Sequence, residues 1–180
     1  EFLAGNNSCG RVLPHAEIKF TSIDRDRVGS IQIAAKSLML GYFPDLDLPT
    51  YYQPDDLGTS DFNGYLTICG RSSDKIITGG ENVSPREVEE ILYERHEVQE
   101  CAVIGLPDKE YGERVVAYLM PREGNEINAA ELKAYCKIHL SPFKVPKEFI
   151  SVTELPKSSS GKLLKRTLKE QVLNETLPSR

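Results

Sequence analysis

Hydrophobic and polar positions change their spacing along the chain, and the change separates two kinds of predicted structure. Residues 16–20, 30–35 and 65–69 alternate or are β-branched, as β-strands require, and no helical spacing lies between them. The prolines and glycines between these segments predict long surface loops around a small barrel or sheet. From residue 72 onward the pattern predicts alternating helices and strands, so we expect an α+β domain there.

The second part of the chain contains predicted helices with clear N-terminal signals. Ser84 can cap a helix that begins at Pro85, and Glu87 would complete a capping box. Asn128 and Glu131 give the same signal for a second helix. The predicted helices span residues 85–95, 129–140 and 164–174, and the predicted strands span residues 98–106, 114–120 and 149–152.

A pair of serines, Ser72 and Ser73, joins the two parts. It predicts a boundary between two domains, which would comprise residues 1–71 and residues 72–180. The chain begins without a methionine and without a start signal, which favours a fragment of a longer protein.

Composition and charge narrow the function. The chain has 180 residues, of which 39% are hydrophobic, enough for a globular core. Its formal net charge of -5 is spread along the chain, which argues against a nucleic-acid surface. The four cysteines and three histidines show no ligand spacing, so we expect neither zinc nor disulfides, and a reducing, cytoplasmic setting. No apolar run approaches the roughly 20 residues of a membrane span.

The first candidate site is the paired glycine Gly79 and Gly80. With Glu81 and Asn82 they form a predicted loop between a strand and the capped helix. Paired glycines adopt positive φ and allow a ligand or another backbone to approach closely. The alternative interpretation is an ordinary turn of an α/β connection.

The second candidate site is the serine- and glycine-rich segment 155–162, which ends in Lys162. It is similar to half of a phosphate-binding P-loop, but Pro156 stands where the first glycine would be, and Leu163 replaces the Ser or Thr that would hold magnesium. What remains is a lysine on a predicted flexible loop, suited to reach an oxyanion or a phosphate. A solvated surface lysine is the alternative interpretation.

Four further side chains have the chemistry of nucleotide contacts. Asp56 follows Asp55 in a predicted loop and could accept hydrogen bonds from a sugar diol, although solvated acids are the alternative. Tyr111, Phe143 and Lys147 combine aromatic rings with a cation, which fits a nucleotide base and its phosphates. No set of oxygen ligands sufficient for a metal ion is recognisable in the sequence.

Taken in order, these segments resemble the C-terminal part of the AMP-forming acyl-CoA synthetase (adenylate-forming) superfamily. The resemblance is carried by Asp-Leu-Gly at residues 56–58, by residues 64–71 and 74–82, by the helix that begins at Pro85, and by residues 155–162. Residues 8–14 also resemble the segment that opens the small β-barrel of the family's large domain. Within the superfamily, residues 55–58, 73–83 and 103–108 are most similar to the 2-succinylbenzoate–CoA ligases of menaquinone and phylloquinone biosynthesis.

The resemblance implies a fold and a reaction. Residues 72–180 would form a mobile, small C-terminal α+β domain, preceded in residues 1–71 by the β-barrel tail of a larger N-terminal adenylation domain. ATP would activate a carboxylic acid as an acyl-adenylate with release of pyrophosphate, and the thiol of CoA would then displace AMP. Mg would be bound mainly by the N-terminal adenylation domain. The 180-residue chain alone is therefore expected to be inactive.

The resemblance also implies that the small domain swings about a hinge, so that opposite faces serve the two steps. Lys162 would bridge the carboxylate and the α-phosphate during adenylation. Gly79 and Gly80 would line the pantetheine tunnel during thioester formation. Ser73 stands at the hinge, where the family commonly has Asp or Lys.

Nucleotide contacts are implied in two further places. Asp56 would bind the ribose hydroxyls, and Arg71 would help to hold ribose or phosphate. The nucleotide of CoA would lie near Tyr111, Phe143 and Lys147. The sequence departs from the family before Asp56, because residues 54 and 55 are Pro and Asp where Thr and Gly are usual.

Other functions stay open at this point. One is the same adenylation chemistry with another substrate or acceptor: a fatty or aryl acid–CoA ligase, carrier-protein loading, or oxidation as in luciferases. Another is a stand-alone nucleotide- or CoA-binding module without catalysis. The expected partners are a small carboxylic acid, ATP, CoA and the adenylation domain, with no nucleic acid and no membrane span.

Overall fold

The computed structural model describes residues 8–44 and 50–176 of the chain. The chain divides into two compact units, Glu1–Ser73 and Asp74–Arg180. The start of the chain, residues 1–7, and Pro49, one of the prolines in the predicted loops, lie outside the described residues. The described helices and strands confirm the predicted α+β fold class.

The first unit contains an antiparallel sheet. Its strands are β1 (Gly10–Arg11), β2 (Ala16–Thr21), β3 (Gly29–Ala35), β4 (Asp56–Ser60) and β5 (Tyr65–Arg71). They are ordered β1-β5-β4-β3-β2. Because β1 and β2 each pair along one side only within the described residues, the sheet is open. Of the two predicted alternatives, a barrel or a sheet, the described strands form the sheet.

Strand β4 corrects the prediction that residues 55–58 form a loop. Its sequence, Asp-Leu-Gly-Thr-Ser, has little of the apolar alternation that marks a strand. Gly58 explains how it pairs nonetheless, since a Cβ at that position would lie 2.8 Å from both Ile31 Cδ1 and the Thr67 carbonyl oxygen. A glycine inside a strand here marks a close approach of neighbouring chains.

The second unit is built on the long strands β8 (Val98–Asp108) and β9 (Gly112–Pro121). They pair antiparallel along nearly their whole length, and β10 (Glu148–Ser151) adds parallel to β9. A short hairpin of β6 (Ile76–Thr78) and β7 (Glu81–Val83) joins the same sheet where Thr78 pairs with Gly112. The helices are α1 (Pro85–Tyr93), α2 (Ala129–His139) and α3 (Lys165–Thr176).

Helices cover both faces of this sheet, because successive side chains of a strand point to opposite sides. On one face, α1 and α2 pack on alternate residues of β8 and β9, in a cluster that includes Val88, Leu92, Cys101, Val103, Val115, Ala117, Leu119, Leu132 and Cys136. On the other face, α3 packs with a second cluster of Ala102, Ile104, Leu106, Val116, Tyr118, Leu155 and Leu168. Burying each large apolar side chain contributes about 1.5–3 kcal/mol, so this double core fixes the positions of the loops at the edge of the sheet.

The helix starts confirm one predicted cap and correct the other. The Asn128 side chain accepts hydrogen bonds from the amides of Ala130 and Glu131, as predicted for α2. At α1, Ser84 occupies the N-cap position with extended backbone but forms no side-chain capping bond. The predicted capping bond from the Ser84 side chain is therefore wrong, and the Glu87 carboxylate lies 2.7 Å from Lys144 Nζ.

In the part of the chain that the structure describes, no helix is both long enough and apolar enough to cross a membrane.

Candidate active site

The paired glycines form the two-residue turn of the β6–β7 hairpin, and their predicted loop is therefore a hairpin turn. Gly79 and Gly80 have φ values of +58° and +83°, a combination typical of two-residue hairpin turns, in which Gly and Asn are preferred. The Gly79 amide donates a 2.8 Å hydrogen bond to the carbonyl of Tyr111. A Cβ on Gly79 would lie 3.3 Å from the Tyr111 ring, whereas no atom lies within 4 Å of a Cβ on Gly80. Gly80 is thus the exposed tip of the turn.

Tyr111 is held beside this turn by the loop between β8 and β9. Asp108 Oδ1 accepts hydrogen bonds of 2.9 Å from the amides of Glu110 and Tyr111. These two bonds hold the pKa of Asp108 below its usual value, and the bond from the Tyr111 amide has the larger effect. A hydrogen bond to the Glu110 side chain raises the pKa of Tyr111. The loop is therefore fixed by its own carboxylate, and the Tyr111 ring stays 39% exposed.

Lys147 joins Gly79 and Tyr111 from a distant part of the sequence. Its Nζ lies 5.0 Å from the centroid of the Tyr111 ring, which is within the range of a cation–π interaction. Its amide donates to the carbonyl of Val115 on β9. Phe143 lies on the same connection between α2 and β10, 37% exposed, with its ring 5.7 Å from Lys144 Nζ. The structure thus brings together Gly79, Tyr111 and Lys147.

A cleft adjoins this group on the side of α2. Its volume is about 380 Å³, and its lining residues are Lys133, Lys137, Pro142, Val145, Pro146 and Lys147. Val145 and Pro146 are buried, and the three lysines are exposed. The cleft therefore has an apolar base and a basic rim.

Lys162 lies on a short loop that is more constrained than the predicted flexible loop. The Ser158 amide donates to the Lys162 carbonyl at 2.8 Å, and the Lys162 amide donates to Ser158 Oγ at 3.1 Å. Lys157 and Leu163 form a β-bridge that closes the loop, and Gly161 has a φ of +80°. The Lys162 side chain is exposed, so the loop presents it to solvent.

Ion pairs on both sides of this loop tie it to β8 and to α1. Before it, Lys157 Nζ lies 2.5 Å from Glu100 on β8. After it, Lys165 Nζ lies 2.7 Å from the Glu89 carboxylate on α1. The same carboxylate accepts a 2.7 Å hydrogen bond from the Val103 amide. The Glu89 side chain is only 12% exposed. Burial raises the pKa of Glu89 despite the opposing effect of the Lys165 charge.

The glycine turn and the Lys162 loop lie far apart on the second unit. The turn is bonded to Tyr111, next to the Asp108 end of β8, and the lysine loop is tied to Glu100. Glu100 and Asp108 are eight residues apart on one strand, or about 26 Å at the rise of an extended chain.

Their flanking residues also pack on opposite faces of the sheet. Ile76 and Val83 of the hairpin belong to the cluster beneath α1 and α2. Leu155 and Leu163, on either side of the loop, pack in the cluster beneath α3. The two exposed loops therefore lie at opposite ends and on opposite faces of one sheet.

Asp56 and Arg71 lie together in the first unit. They are directly paired across β4 and β5, and Arg71 Nε lies 3.6 Å from Asp56 Oδ1. Their side chains are 33% and 50% exposed, respectively. An exposed pair of this kind contributes less than about 1 kcal/mol, so a ligand with hydroxyl and phosphate groups could replace the contact at little cost.

The described residues contain no grouping of metal ligands. Within residues 8–44 and 50–176, no group of three or more His, Cys, Asp or Glu side chains is arranged to hold a metal ion.

Sequence reasoning did not find several residues that organise this unit. The candidate sites predicted from the sequence do not include Glu89, Glu113, Lys133 or Lys137. The only available signal for the two lysines is their i, i+4 spacing on the polar side of α2.

Part of the chain matches a known domain family. Residues 87–162 match the AMP-binding enzyme C-terminal domain. The proteins to which the chain is similar include acyl-CoA ligases, as the sequence resemblance predicted.

Three similar proteins illustrate the range. A mitochondrial medium-chain acyl-CoA ligase of Macaca fascicularis is 35% identical over 178 residues, 92% of this chain and 29% of its own length. The o-succinylbenzoate CoA synthetase of Bacillus subtilis, solved in complex with the acyl-adenylate intermediate OSB-AMP, is 35% identical with a TM-score of 0.81, over 91% of this chain and 35% of its own. An amide bond synthetase from Marinactinospora thermotolerans is 29% identical with a TM-score of 0.82. The match covers 92% of this chain and 36% of the synthetase. The chain spans about a third of the length of the proteins it matches.

Proposed function

We propose that the chain is the C-terminal part of an ATP-dependent, AMP-forming acid–CoA ligase. Residues 72–180 would move relative to an adenylation domain whose last strands lie in residues 1–71. In the first step a carboxylate oxygen attacks the α-phosphorus of ATP, which gives an acyl-adenylate and releases pyrophosphate. In the second step the sulfur of CoA attacks the acyl carbon, and AMP leaves with the electron pair. The single observation that carries the proposal is the placement of the glycine turn and Lys162 at opposite ends and faces of one sheet.

Lys162 would serve the first step. Negative charge is shared between the carboxylate and the α-phosphate as the adenylate forms, and a positioned ammonium group stabilises that charge. The hydrogen bonds between Ser158 and Lys162 fix the loop backbone, while the side chain remains exposed for a partner domain. This combination supports a preorganised donor.

The Gly79–Gly80 turn would serve the second step. A thiol on a long pantetheine arm reaches a buried acyl-adenylate only through a narrow passage, and a turn without side chains leaves room for it. The open space around a Cβ of Gly80 supports this role, since the turn meets no atom of its own domain there. Tyr111 and Lys147, which lie beside the turn, would then contact the nucleotide of CoA, and Phe143 would lie near them.

The nucleotide of the adenylate would be held in the first unit. Asp56 would accept hydrogen bonds from the ribose hydroxyls, and Arg71 would contact ribose or phosphate. Their direct pairing across β4 and β5 supports a joint role, because the two groups then present an acceptor and a donor side by side. The hinge would lie at Ser73, two residues after Arg71, where a small side chain allows the backbone to change its dihedral angles.

The identity of the carboxylic acid is proposed from the sequence resemblance and from the similarity to the o-succinylbenzoate CoA synthetase. We propose 2-succinylbenzoate as the first carboxylate to test, which would place the enzyme in menaquinone or phylloquinone biosynthesis in the cytoplasm. Medium-chain acyl groups are the competing choice, because a medium-chain acyl-CoA ligase matches at the same identity.

The experiment uses the complete protein that the gene encodes. It is incubated with ATP, CoA and a panel of 2-succinylbenzoate, medium-chain fatty acids and aryl acids, and the products are separated by chromatography. The proposal expects pyrophosphate, AMP and an acyl-CoA in equal amounts from one class of acid. Acid-independent hydrolysis of ATP, or no AMP with any acid, would count against it.

A second candidate function is the same adenylation followed by transfer to an amine. The similarity to an amide bond synthetase is the observation that favours it. The two candidates differ in the acceptor alone. Replacing CoA by a primary amine, or by a phosphopantetheinyl carrier protein, in the same assay separates them by the product that accumulates.

A further inference from the structure

The first residue of α3, Lys165, forms an ion pair that is largely shielded from solvent. Its Nζ lies 2.7 Å from Oε1 and 2.8 Å from Oε2 of Glu89 on α1. The Lys165 and Glu89 side chains are 20% and 12% exposed, respectively. The next residue of the helix differs, because Arg166 is 91% exposed and pairs with Glu170 one turn further along α3. Lys165 therefore connects α3 to another element, whereas Arg166 contacts its own helix.

The carboxylate that binds Lys165 is itself bonded to the sheet. Glu89 Oε1 accepts a 2.7 Å hydrogen bond from the Val103 amide, in the middle of β8. Within the described residues β8 pairs with β9 along one side only, so Glu89 takes the place of a neighbouring strand at the open edge. One carboxylate thus connects β8 to the start of α3.

Lys162 lies three residues before Lys165, and the backbone between them is short and bonded. The Leu164 amide donates a 2.8 Å hydrogen bond to the Pro156 carbonyl on the other side of the loop. The Leu164 carbonyl accepts a 3.0 Å hydrogen bond from the Leu168 amide in the first turn of α3. A shift of this turn would therefore move the Lys162 backbone with it.

The energetics of a shielded ion pair favour a role in position over a role in stability. Both charges lose hydration when they are shielded, so replacing such a pair by uncharged side chains of similar volume is often neutral or stabilising. What the pair supplies is a defined place for α3, because both carboxylate oxygens of Glu89 contact the same ammonium group. Catalysis depends steeply on position, since a displacement of about 1 Å can lower a rate by about 10².

We propose that Glu89 and Lys165 are positioning residues for Lys162 in adenylate formation. They fix the start of α3, and thereby the loop that presents the Lys162 ammonium group, without contacting the substrate. This inference rests on the proposed function, in which Lys162 stabilises the charge of the forming adenylate. Thioester formation should not depend on the pair, because the glycine turn of the second step is bonded to Tyr111 instead.

The test uses the complete protein and variants that separate position from stability. In the paired variant, Glu89→Gln is combined with Lys165→Met, which removes both charges but keeps an acceptor for the Val103 amide. Lys165→Arg keeps the cation. Arg166→Met is the matched control, because it removes an exposed ion pair at the neighbouring position of the same helix. Circular dichroism spectra and melting temperatures show that the variants are folded.

The two half-reactions are measured separately, as exchange of labelled pyrophosphate into ATP and as conversion of supplied acyl-adenylate by CoA. The paired variant should lower kcat for adenylation about 10- to 10²-fold with little change in KM for ATP, and should leave thioester formation within about twofold of the wild type. Lys165→Arg should retain most of the adenylation rate, and Arg166→Met should behave like the wild type. Wild-type adenylation in the folded paired variant, or equal losses in both half-reactions, would overturn the proposal.

A double-mutant cycle shows whether the pair acts through Lys162. In a Lys162→Ala background, the paired variant should lower adenylation no further, because the group that the pair positions is absent. A purely structural role would give the same loss in both backgrounds, and that result would overturn the proposal.

A readout that needs no activity distinguishes this inference from the proposed function. Hydrogen exchange of residues 155–165 in the complete protein should be faster in the paired variant than in the wild type or in Arg166→Met. Acid-dependent pyrophosphate exchange, with neither its rate nor the hydrogen exchange changed in the paired variant, would reject the positioning role and leave the ligase. Faster hydrogen exchange in a protein without acid-dependent pyrophosphate exchange would support the role of the pair in fixing the loop and reject the ligase.

Discussion

Gly80 and Lys162 lie at opposite ends of the β8–β9 pair, and the residues that flank them pack on opposite faces of the same sheet. The strand between their two anchoring points, Asp108 and Glu100, covers about 26 Å. A single reacting centre cannot contact both loops in one arrangement of a rigid domain. If both act on one substrate, the domain must turn between the two steps.

The first prediction concerns the backbone of the glycine turn. Gly80 has a φ of +83° with open space around its Cβ, so conformation rather than crowding decides which residues fit. Gly80→Asn should change the free energy of unfolding by only a few tenths of a kcal/mol, because Asn tolerates positive φ. Gly80→Val should cost about 1–2 kcal/mol. Urea unfolding of both variants measures the difference, and equal stability of Asn and Val variants would contradict the turn geometry.

The second prediction concerns Glu113, which ties the glycine hairpin to α3. Its carboxylate accepts hydrogen bonds from the Ile77 amide at 3.0 Å and from Lys169 Nζ at 2.7 Å. A Cβ on Gly105 would lie 2.9 Å from the Glu113 carboxyl carbon. Gly105→Ala should therefore destabilise by about 1–3 kcal/mol, because it displaces a bonded carboxylate. In a Glu113→Ala background the cost should fall, and a double-mutant cycle measures the coupling. Strict additivity would show that the two residues do not interact.

The same carboxylate has a predictable pH dependence. Burial alone would raise the pKa of Glu113, but the hydrogen bonds from Lys169 and Ile77, with the Lys169 charge, lower it below the ordinary 4.5. A lowered pKa in the folded state gives stability that is present above pH 4.5 and is lost as pH falls through the folded value. The wild type should lose stability relative to Glu113→Gln on acidification. A constant difference in unfolding free energy from pH 7 to pH 3 would reject this.

Sequence periodicity predicted the long elements of the second unit because they are paired or packed over many residues. Strand β9 was expected at residues 114–120 and spans Gly112–Pro121, and α1 was expected at 85–95 and spans Pro85–Tyr93. The short strands β4, β6 and β7 were missed, since three to five residues with glycines carry too little periodicity. They owe their existence to pairing with distant strands.

The candidate residues were found one by one, but their grouping was not. Tyr111 lies beside Gly79 only because β9 pairs with β6, and Lys147 reaches the same ring through its bond to Val115. Such contacts depend on strand register, for which a single sequence gives no local signal. Lys162 and the glycine turn were predicted to alternate at one site, and their functional roles stay predictions.

The third prediction concerns the cysteines. Burial raises the pKa of Cys101 to about 12 and that of Cys136 to about 11, whereas Cys9 is exposed and Cys69 is half-buried. A thiol reagent at pH 8 should modify Cys9 quickly and Cys69 more slowly, and should reach Cys101 and Cys136 only on unfolding. Ellman titration with and without guanidinium measures this. Rapid modification of all four cysteines in the native protein would contradict the packing of the second unit.

These thiols also affect stability at alkaline pH. In the unfolded chain they ionise near pH 9, but the folded state keeps Cys101 and Cys136 protonated. The unfolded state then binds fewer protons, so stability should fall as pH rises from about 9 toward the folded values. Cys136→Ser would remove part of this slope, with a cost at all pH values from its buried hydroxyl.

The half-reactions of the complete enzyme test the central claim most directly, because they separate the two loops. Adenylation is followed by exchange of labelled pyrophosphate into ATP, and thioester formation is followed from supplied acyl-adenylate and CoA. Lys162→Ala should slow adenylation by about 10² to 10³ and leave thioester formation near the wild-type rate. Gly80→Leu should do the reverse, since its side chain would obstruct the pantetheine arm. If both variants impair both half-reactions to the same extent, the two loops do not alternate at one site, and the account is contradicted.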